Sequence, residues 1–590
     1  MVLWATYLAT SAPDLTFWDA TELATAAHTL GIPHPPGTPL WVLLGKVSAL
    51  LFGGAAPPRA VTLLSVWASA LAGGLGAWLV ARWIGARGAV VAAVMAGTMF
   101  SVWNNATETE VYAVALLASV ALLAAGEIAG RAESSDEARR RGRALLVFIA
   151  ALAVPLHLSV LVAVPAAVVL AWRGPRPTGR EWLAWAALAA LGCSAVAVLP
   201  LLSAQNPPLD SGNPETLRSL LAVLRREQYA VAGLWPRRAP LWLQLGNVFQ
   251  WADWQVAFGL HPLATPAWPR TLLSVCWGWL GLIGVRALWR QEPRVGRAMA
   301  VLLASGTLGV ALWLNLRAGP TFGVGVLPDG VPHEARERDY FFSLGFWSWG
   351  LLAGAGVASV ASALRRRVPA PVAILPLATA LVPLLANRDV ADRRREPVAG
   401  LPRTFARLLL ESVPPNGVLV AAGDNDTFPL WYLQQVEEVR PDVSIVTAPL
   451  LGAPWYRSAQ AADGLLGDDL VASWRGLGPV LESIMTRARA KGRAVRVSAL
   501  LTKADRLPLD SGAGWVLEGL VYRPSPDVAP GSTGLDLVAL RRAAAEVPRS
   551  ALAALPPASD PAAETAQQLL RCTQVTTLAD SLLVSGCNGL

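Results

Sequence analysis

Leu40–Phe52, LWVLLGKVSALLF, is the stretch on which the reading of this chain turns. Its thirteen residues fall short of the roughly 20 that carry a helix across about 30 Å of hydrocarbon. Lys46 interrupts it, and Pro39 on one side and Pro57 and Pro58 on the other fence it in. It therefore reads as an interfacial helix and not a span. Outward from it, spans are expected near 60–81, 89–103, 111–129, 144–154, 157–172, 182–203, 272–288, 299–316, 340–364 and 372–385, after a truncated first span at 1–12. With the loop after that first span placed outside, Arg82 and Arg87, Arg139–Arg143, Arg173–Arg180, Arg290–Arg297 and Arg365–Arg367 all fall inside. Counting 40–52 as a further span would invert each of these clusters against the tendency of cytoplasmic loops to carry the positive charge.

Composition supports lipid as one solvent of the chain. Apolar residues make up 54% and charged residues 15%, with a mean hydropathy of +0.44, which excludes a single water-soluble globule of this length. The net charge of +8 and pI near 9.7 come from arginines in short runs between apolar segments, an orientation signal, so no nucleic-acid partner is expected. Cys193 and Cys276 lie inside apolar helices and read as packing residues. Cys572 and Cys587 lie in a polar tail where an oxidising compartment would allow them to pair. No metal-ligand spacing is present.

This topology gathers the unusual polar stretches on the outer side: FWDATE (17–22), HPPG (34–37), NNATETEVY (104–112), the long loop 204–270, RERDYFF (336–342) and everything after about Asn387. Asp19 and Glu22 are three apart in a short helical stretch and point the same way. They are either two solvated acids of a capped helix or a catalytic pair in which Asp19 takes a proton and Glu22 orients it. His34 opens a turn that consecutive prolines make rigid. Glu110 and Tyr112 close another outer loop, where Glu110 is as much a helix-end acid as a candidate for lining the same cavity as Asp19. Arg336 and Arg338 lie outside, against the charge rule. They serve either as forks for a lipid phosphate or as partners of Glu334, Glu337 or Asp339. Arg225, with its neighbour Arg226, and Arg59 are weaker candidates for the same role. His157 follows Pro155 where one apolar run breaks, and is either a satisfied buried histidine or a functional one.

After Asn387 apolar runs shorten, and 418–450 reads as strand, turn, helix, strand. Asp424 and Asp426, at the carboxyl end of that first strand, are expected to cap the helix and face substrate, with metal binding as the other reading. Two units are expected: a transmembrane catalytic unit over 1–386, with a first outer loop at 13–59, and a soluble extracytoplasmic α/β unit over 387–590.

FWDATE, HPPG, ETEVYAVALL (108–117), PLHLSVLVAVP (155–165), NPPLDSGNPET (206–216), RERDYFF and GDNDTFPLWYLQQVEEVRPDV (423–443) occur in that order. Together they resemble a family of multispanning proteins, formerly of unknown function, now grouped with C-type glycosyltransferases and including an animal protein O-mannosyltransferase. The acidic pair followed by HPP is similar, more distantly, to the first outer loop of protein O-mannosyltransferases and of lipid A aminoarabinose transferases. The resemblance implies a C-type (GT-C) membrane fold for the mostly helical chain of about eleven spans traced above. It also implies a polyprenyl-phosphate sugar as donor, inversion at the anomeric carbon, and an acidic base in the first outer loop, matched by Asp19. No cofactor is expected, and divalent-metal dependence is left open. The expected partners are the lipid-linked sugar, membrane lipid, and an acceptor that is a protein, a lipid or a glycan. The expected location is the cytoplasmic (inner) membrane, with the site on its outer face. Relatives have a full first span where this chain has about twelve residues, so either its start is truncated or its first helix is short. The competing class is a transporter or lipid flippase. That class predicts acids near helix midpoints and repeated halves; the acids here cluster in outer loops and no repeat is visible.

Overall fold

The structure, a computed structural model, describes residues 1–546 except 230–232, 264, 329, 396–397, 507–508 and 510–512, together with residue 568. Cys572 and Cys587 lie outside the described residues. Helices dominate from the start: α1 (Val2–Thr10), α2 (Asp19–Thr29), α3 (Pro39–Leu51), α4 (Pro57–Ile84), α5 (Ala86–Gly97), α6 (Phe100–Ala106) and α7 (Val111–Gly130).

Among the described residues six helices are long and apolar enough to cross a membrane: α4, α7, Gly179–Ser203, Trp268–Gln291, Pro293–Leu314 and Asp339–Leu364. The expected span at 89–103 is divided between α5 and α6, which meet at 77°; counted as one it makes seven. Thr98 turns its hydroxyl back onto the Val94 carbonyl at this break, an alternative to the helical ladder that a short polar side chain offers the backbone. Three further apolar helices are shorter: α3, Leu158–Ala171 and Ala370–Ala386. The expected spans 157–172 and 372–385 fall on the last two, and 144–154 on Asp136–Leu156, whose opening turns carry Arg139, Arg140, Arg141 and Arg143. Helix length alone thus gives six or seven crossings against the eleven expected. Leu40–Phe52 falls on the thirteen-residue α3 (Pro39–Leu51), with Trp41 and Val42 buried and Leu50 and Leu51 exposed.

The bundle is layered. Asp339–Leu364 is 83% buried and α7 78% buried, whereas Gly179–Ser203 is 17% and Trp268–Gln291 22% buried. The first two form the centre, and the outer pair turn leucine and tryptophan outward, as lipid-facing helices do. Cys276, exposed on Trp268–Gln291, lies on such an outer surface and is not the packing residue expected. Backbones approach closely where glycines meet: a Cβ on Gly284 would lie 1.9 Å from the Leu352 carbonyl oxygen, and one on Gly356 2.0 Å from that of Leu280. Such small-residue contacts are how apolar helices pack without a hydrophobic driving force between them.

α7 has different chemistry at its two ends. Glu127, fully buried near its C-terminus, accepts from Arg294 at 2.8 Å and Arg131 at 3.5 Å, with Arg82 at 3.9 Å. Three of the arginine-bearing connections therefore converge on one carboxylate. Glu110 stands at the other end, about 26 Å away along the axis at 1.5 Å rise per residue.

The α/β part carries a six-stranded sheet of β1 (Val418–Ala421), β2 (Ser444–Thr447), β3 (Val495–Ser498), β4 (Gly514–Glu518), β5 (Val521–Ser525) and β6 (Thr533–Leu535), in the order β2-β1-β3-β5-β4-β6. The expected strand-helix-strand unit is β1, the helix Asp424–Gln435 and β2, paired parallel with Val418 opposite Ser444. Asn387 is itself buried in the bundle, accepting from the Phe258 N–H and donating to the Thr98 and Gln255 carbonyls. The apolar core around the sheet draws on Leu401 and later residues, and on Phe17 of the first loop.

Candidate active site

The N-terminus of α2 presents Asp19 and Glu22 in its first turn. Trp18, the residue before it, has φ 63° and ψ −152°, a region otherwise almost confined to glycine and costing a side chain about 1–3 kcal/mol. Its N–H donates to Asn425 Oδ1 at 2.9 Å. Beside it, Asp14 takes a two-pronged bond from Arg403 at 2.6 and 2.8 Å, and Phe17 is buried in the α/β core. Three neighbouring first-loop residues are thus attached to the α/β unit immediately before the acidic pair.

Glu22 is buried and committed: one oxygen accepts the His34 N–H at 2.8 Å and the other meets His34 Nδ1 at 2.5 Å. Burial alone would lower the His34 pKa, but the Glu22 charge and hydrogen bond raise it to about 9. At neutral pH His34 is therefore an imidazolium, with Nδ1 fixed on Glu22. Asp19 keeps its carboxylate partly exposed and receives Arg336 Nη2 at 3.1 Å. Burial pushes Asp19 up, yet Arg336, His34 and Arg338 together outweigh it and hold the carboxyl below the ordinary range.

The RERD stretch sends alternate side chains in opposite directions. Glu337 accepts from Trp251 Nε1 at 2.7 Å and the Thr321 N–H at 3.1 Å, and Asp339 from the Ser101 hydroxyl at 2.5 Å. These bonds anchor the segment to the bundle and leave Arg336 and Arg338 to face the site. Both arginines donate to the Tyr340 hydroxyl, at 2.9 and 2.6 Å, and Arg336 lies between the Trp18 and Tyr340 rings, 5.0 and 4.2 Å from their centroids. Stacking of this kind suits a guanidinium better than an ammonium.

Asp424 and Glu110 complete the charged wall. Burial raises Asp424 to about 6, with Asp19 and Glu22 adding to the push. Burial likewise raises Glu110 to about 8, with Glu108 and Asp19 adding. Near neutral pH the site thus combines an ionised Asp19, a mostly ionised Asp424, a largely protonated Glu110 and three cationic side chains.

The remaining expected residues divide clearly. Tyr112 packs against Tyr340 at 5.1 Å and His157 against Tyr112 at 4.9 Å, forming an aromatic wall behind the arginines. His157 Nδ1 also caps the helical turn after it, receiving the Ser159 N–H. Asp426 is fully buried, accepting the N–H groups of Ala422, Gly423 and Thr427 at 2.8–2.9 Å. It caps the helix, while Asp424 lies within electrostatic reach of Asp19, Glu22, His34 and Arg336. Arg225 is solvent-exposed, 3.8 Å from Glu227, and Arg59, half-buried near the start of α4, enters none of the bonds just described. Arg226, with its guanidinium over Tyr229, lies nearer the site than Arg225. Trp18, Tyr340, Tyr229 and Asn425 were not picked out individually from sequence. Only Tyr340 had a signal, as the aromatic following the outward arginines.

Residues 19–176 match the family model described as Protein O-mannosyl-transferase TMEM260 N-terminal domain, and residues 402–463 match TMEM260-associated domain 2. Both matches are to TMEM260 models, the family that the seven motifs resemble. Asp19, Glu22, His34, Glu110, Tyr112 and His157 fall in the first match and Asp424 and Asp426 in the second, with Arg336 and Arg338 between them. Mouse protein O-mannosyl-transferase TMEM260 is 24% identical over 462 residues, 74% of this chain and 60% of the mouse protein. The chain therefore spans about 60% of the length of that TMEM260 relative. Among solved structures, apo ArnT from Cupriavidus metallidurans superposes with a TM-score of 0.51 at 15% identity, covering 89% of this chain and 95% of ArnT. The shared feature is the fold: a mostly helical chain with several apolar helices.

Proposed function

We propose that this chain is a multi-pass glycosyltransferase of the cytoplasmic membrane that moves a sugar, mannose foremost, from a polyprenyl-phosphate donor to an acceptor hydroxyl on the outer face. The acceptor is a serine or threonine of a protein, as the name of the mouse relative suggests. The observation that carries this reading is the Asp19 carboxylate held ionised 3.1 Å from Arg336, with Arg338 beside it.

In the proposed reaction the acceptor oxygen attacks the anomeric carbon as the bond from that carbon to the phosphate oxygen breaks. The hydroxyl proton passes to Asp19, and the electron pair leaves with the lipid phosphate. Attack opposite the leaving group inverts the anomeric centre. Arg336, Arg338 and His34 supply fixed positive charge for the phosphate as charge builds on it. Each well-aimed donor of this kind contributes about 10²–10³-fold. Engagement of Arg336 by phosphate weakens its hold on Asp19, which raises the basicity of that carboxylate when substrate is bound. Asp424, from the α/β unit, adds a further carboxylate beside Asp19.

The test is transfer from labelled polyprenyl-phosphate mannose to a serine- or threonine-bearing peptide by the reconstituted protein, with the anomeric configuration of the product read by NMR. Inverted product supports the reading. Retained configuration contradicts the single-displacement mechanism.

A further inference from the structure

The base and the element that fixes it come from opposite ends of the chain. Trp18 is the residue from which α2 starts, so its backbone sets the direction of the first turn and with it the Asp19 carboxylate. It lies in a left-handed conformation unusual for a side chain, and its N–H is bonded to Asn425, 407 residues away. Asn425 is itself rigidly placed: it is the second residue of the helix Asp424–Gln435, whose entry turn is fixed by Asp426 accepting three backbone N–H groups. The Asp14–Arg403 pair and buried Phe17 hold the same stretch against the α/β unit.

We propose that Asn425 is a positioning residue for the reaction, clamping Trp18 so that Asp19 meets the acceptor hydroxyl. This rests on the function proposed above. The α/β unit is on this account part of the catalytic apparatus, and a change in it alters turnover without touching the lipid-linked donor.

The test uses the full-length reconstituted protein, with donor consumption measured for wild type, Asn425→Ala and Asn425→Asp. Asn425→Ala removes the acceptor and is expected to lower kcat by about 10- to 100-fold, as small displacements of a reacting group do, with the KM for donor unchanged. Asn425→Asp keeps an acceptor oxygen for the Trp18 N–H and restores most of kcat. Its added charge near Asp19 also moves the acid limb of the pH profile upward, because a like charge disfavours ionisation. If Asn425→Ala does not fold, Asn425→Asp carries the test through that limb. Wild-type kcat in Asn425→Ala, or an Asn425→Asp variant as impaired as alanine or with an unmoved acid limb, overturns the inference. A wild type that consumes no donor refutes the proposed function itself.

Discussion

Asp19 is held ionised mainly against its own burial, by Arg336 first, then His34 and Arg338. Its contribution to rate should therefore persist as pH falls through the ordinary carboxylate range and disappear only below it. Arg336→Ala removes the largest of these attractions and a phosphate donor together. It is expected to lower kcat/KM by about 10²–10³-fold and to shift the acid limb of the residual activity upward. Arg336→Lys should keep part of the rate, because a point charge remains but the fork stacked between Trp18 and Tyr340 is lost. Steady-state pH profiles check both. His34 is the reverse case. Its pKa is raised in the folded state, to about 9, so its ion pair with Glu22 stabilises fully below the ordinary histidine value of about 6.5 and is lost as pH rises through 9. Thermal unfolding in detergent should show wild type losing a few degrees across that window and His34→Gln changing little, since its neutral side chain has no charge to lose. Asp19, Glu22 and the outward arginines were legible because charge in an apolar chain is conspicuous. Which arginine of 225 and 226 faces inward, and which aspartate of 424 and 426 caps, depends on the phase of a single turn, and residue type does not encode it.

At the scale of elements, the long apolar helices were readable from hydropathy, and the brevity of α3 from its prolines. The break between α5 and α6 was not. Thr98 and Met99 carry no strong breaker signal in an apolar run, and the 77° bend falls where the Thr98 hydroxyl bonds back to the Val94 carbonyl. Glycines carry much of the helix packing. Gly284→Ala puts a methyl 1.9 Å from the Leu352 oxygen and should destabilise by about 1–3 kcal/mol, the usual cost of overpacking. Gly278→Ala, on the same helix with nothing within 4 Å, should raise the melting temperature slightly, as alanine in place of a helix-interior glycine does. Comparing the two by thermal unfolding separates helix contact from helix propensity.

Over the whole molecule, α7 ties the scheme together, with Glu110 and the candidate site at one end and Glu127 with Arg82, Arg131 and Arg294 at the other. The sequence order of the motifs pointed to a family, but only folding brings 14–18 against 403 and 425, because no local pattern joins positions some four hundred residues apart. The central claim is that the first-loop carboxylate removes the acceptor proton in sugar transfer. The direct measurement is consumption of radiolabelled polyprenyl-phosphate sugars by the reconstituted protein beside Asp19→Asn, with both shown to be folded. The account predicts consumption of one such donor by wild type and a loss of about 10²–10⁴-fold in the variant, the range for a general base. Near-normal transfer by Asp19→Asn, or no consumption of any donor by wild type, would contradict it.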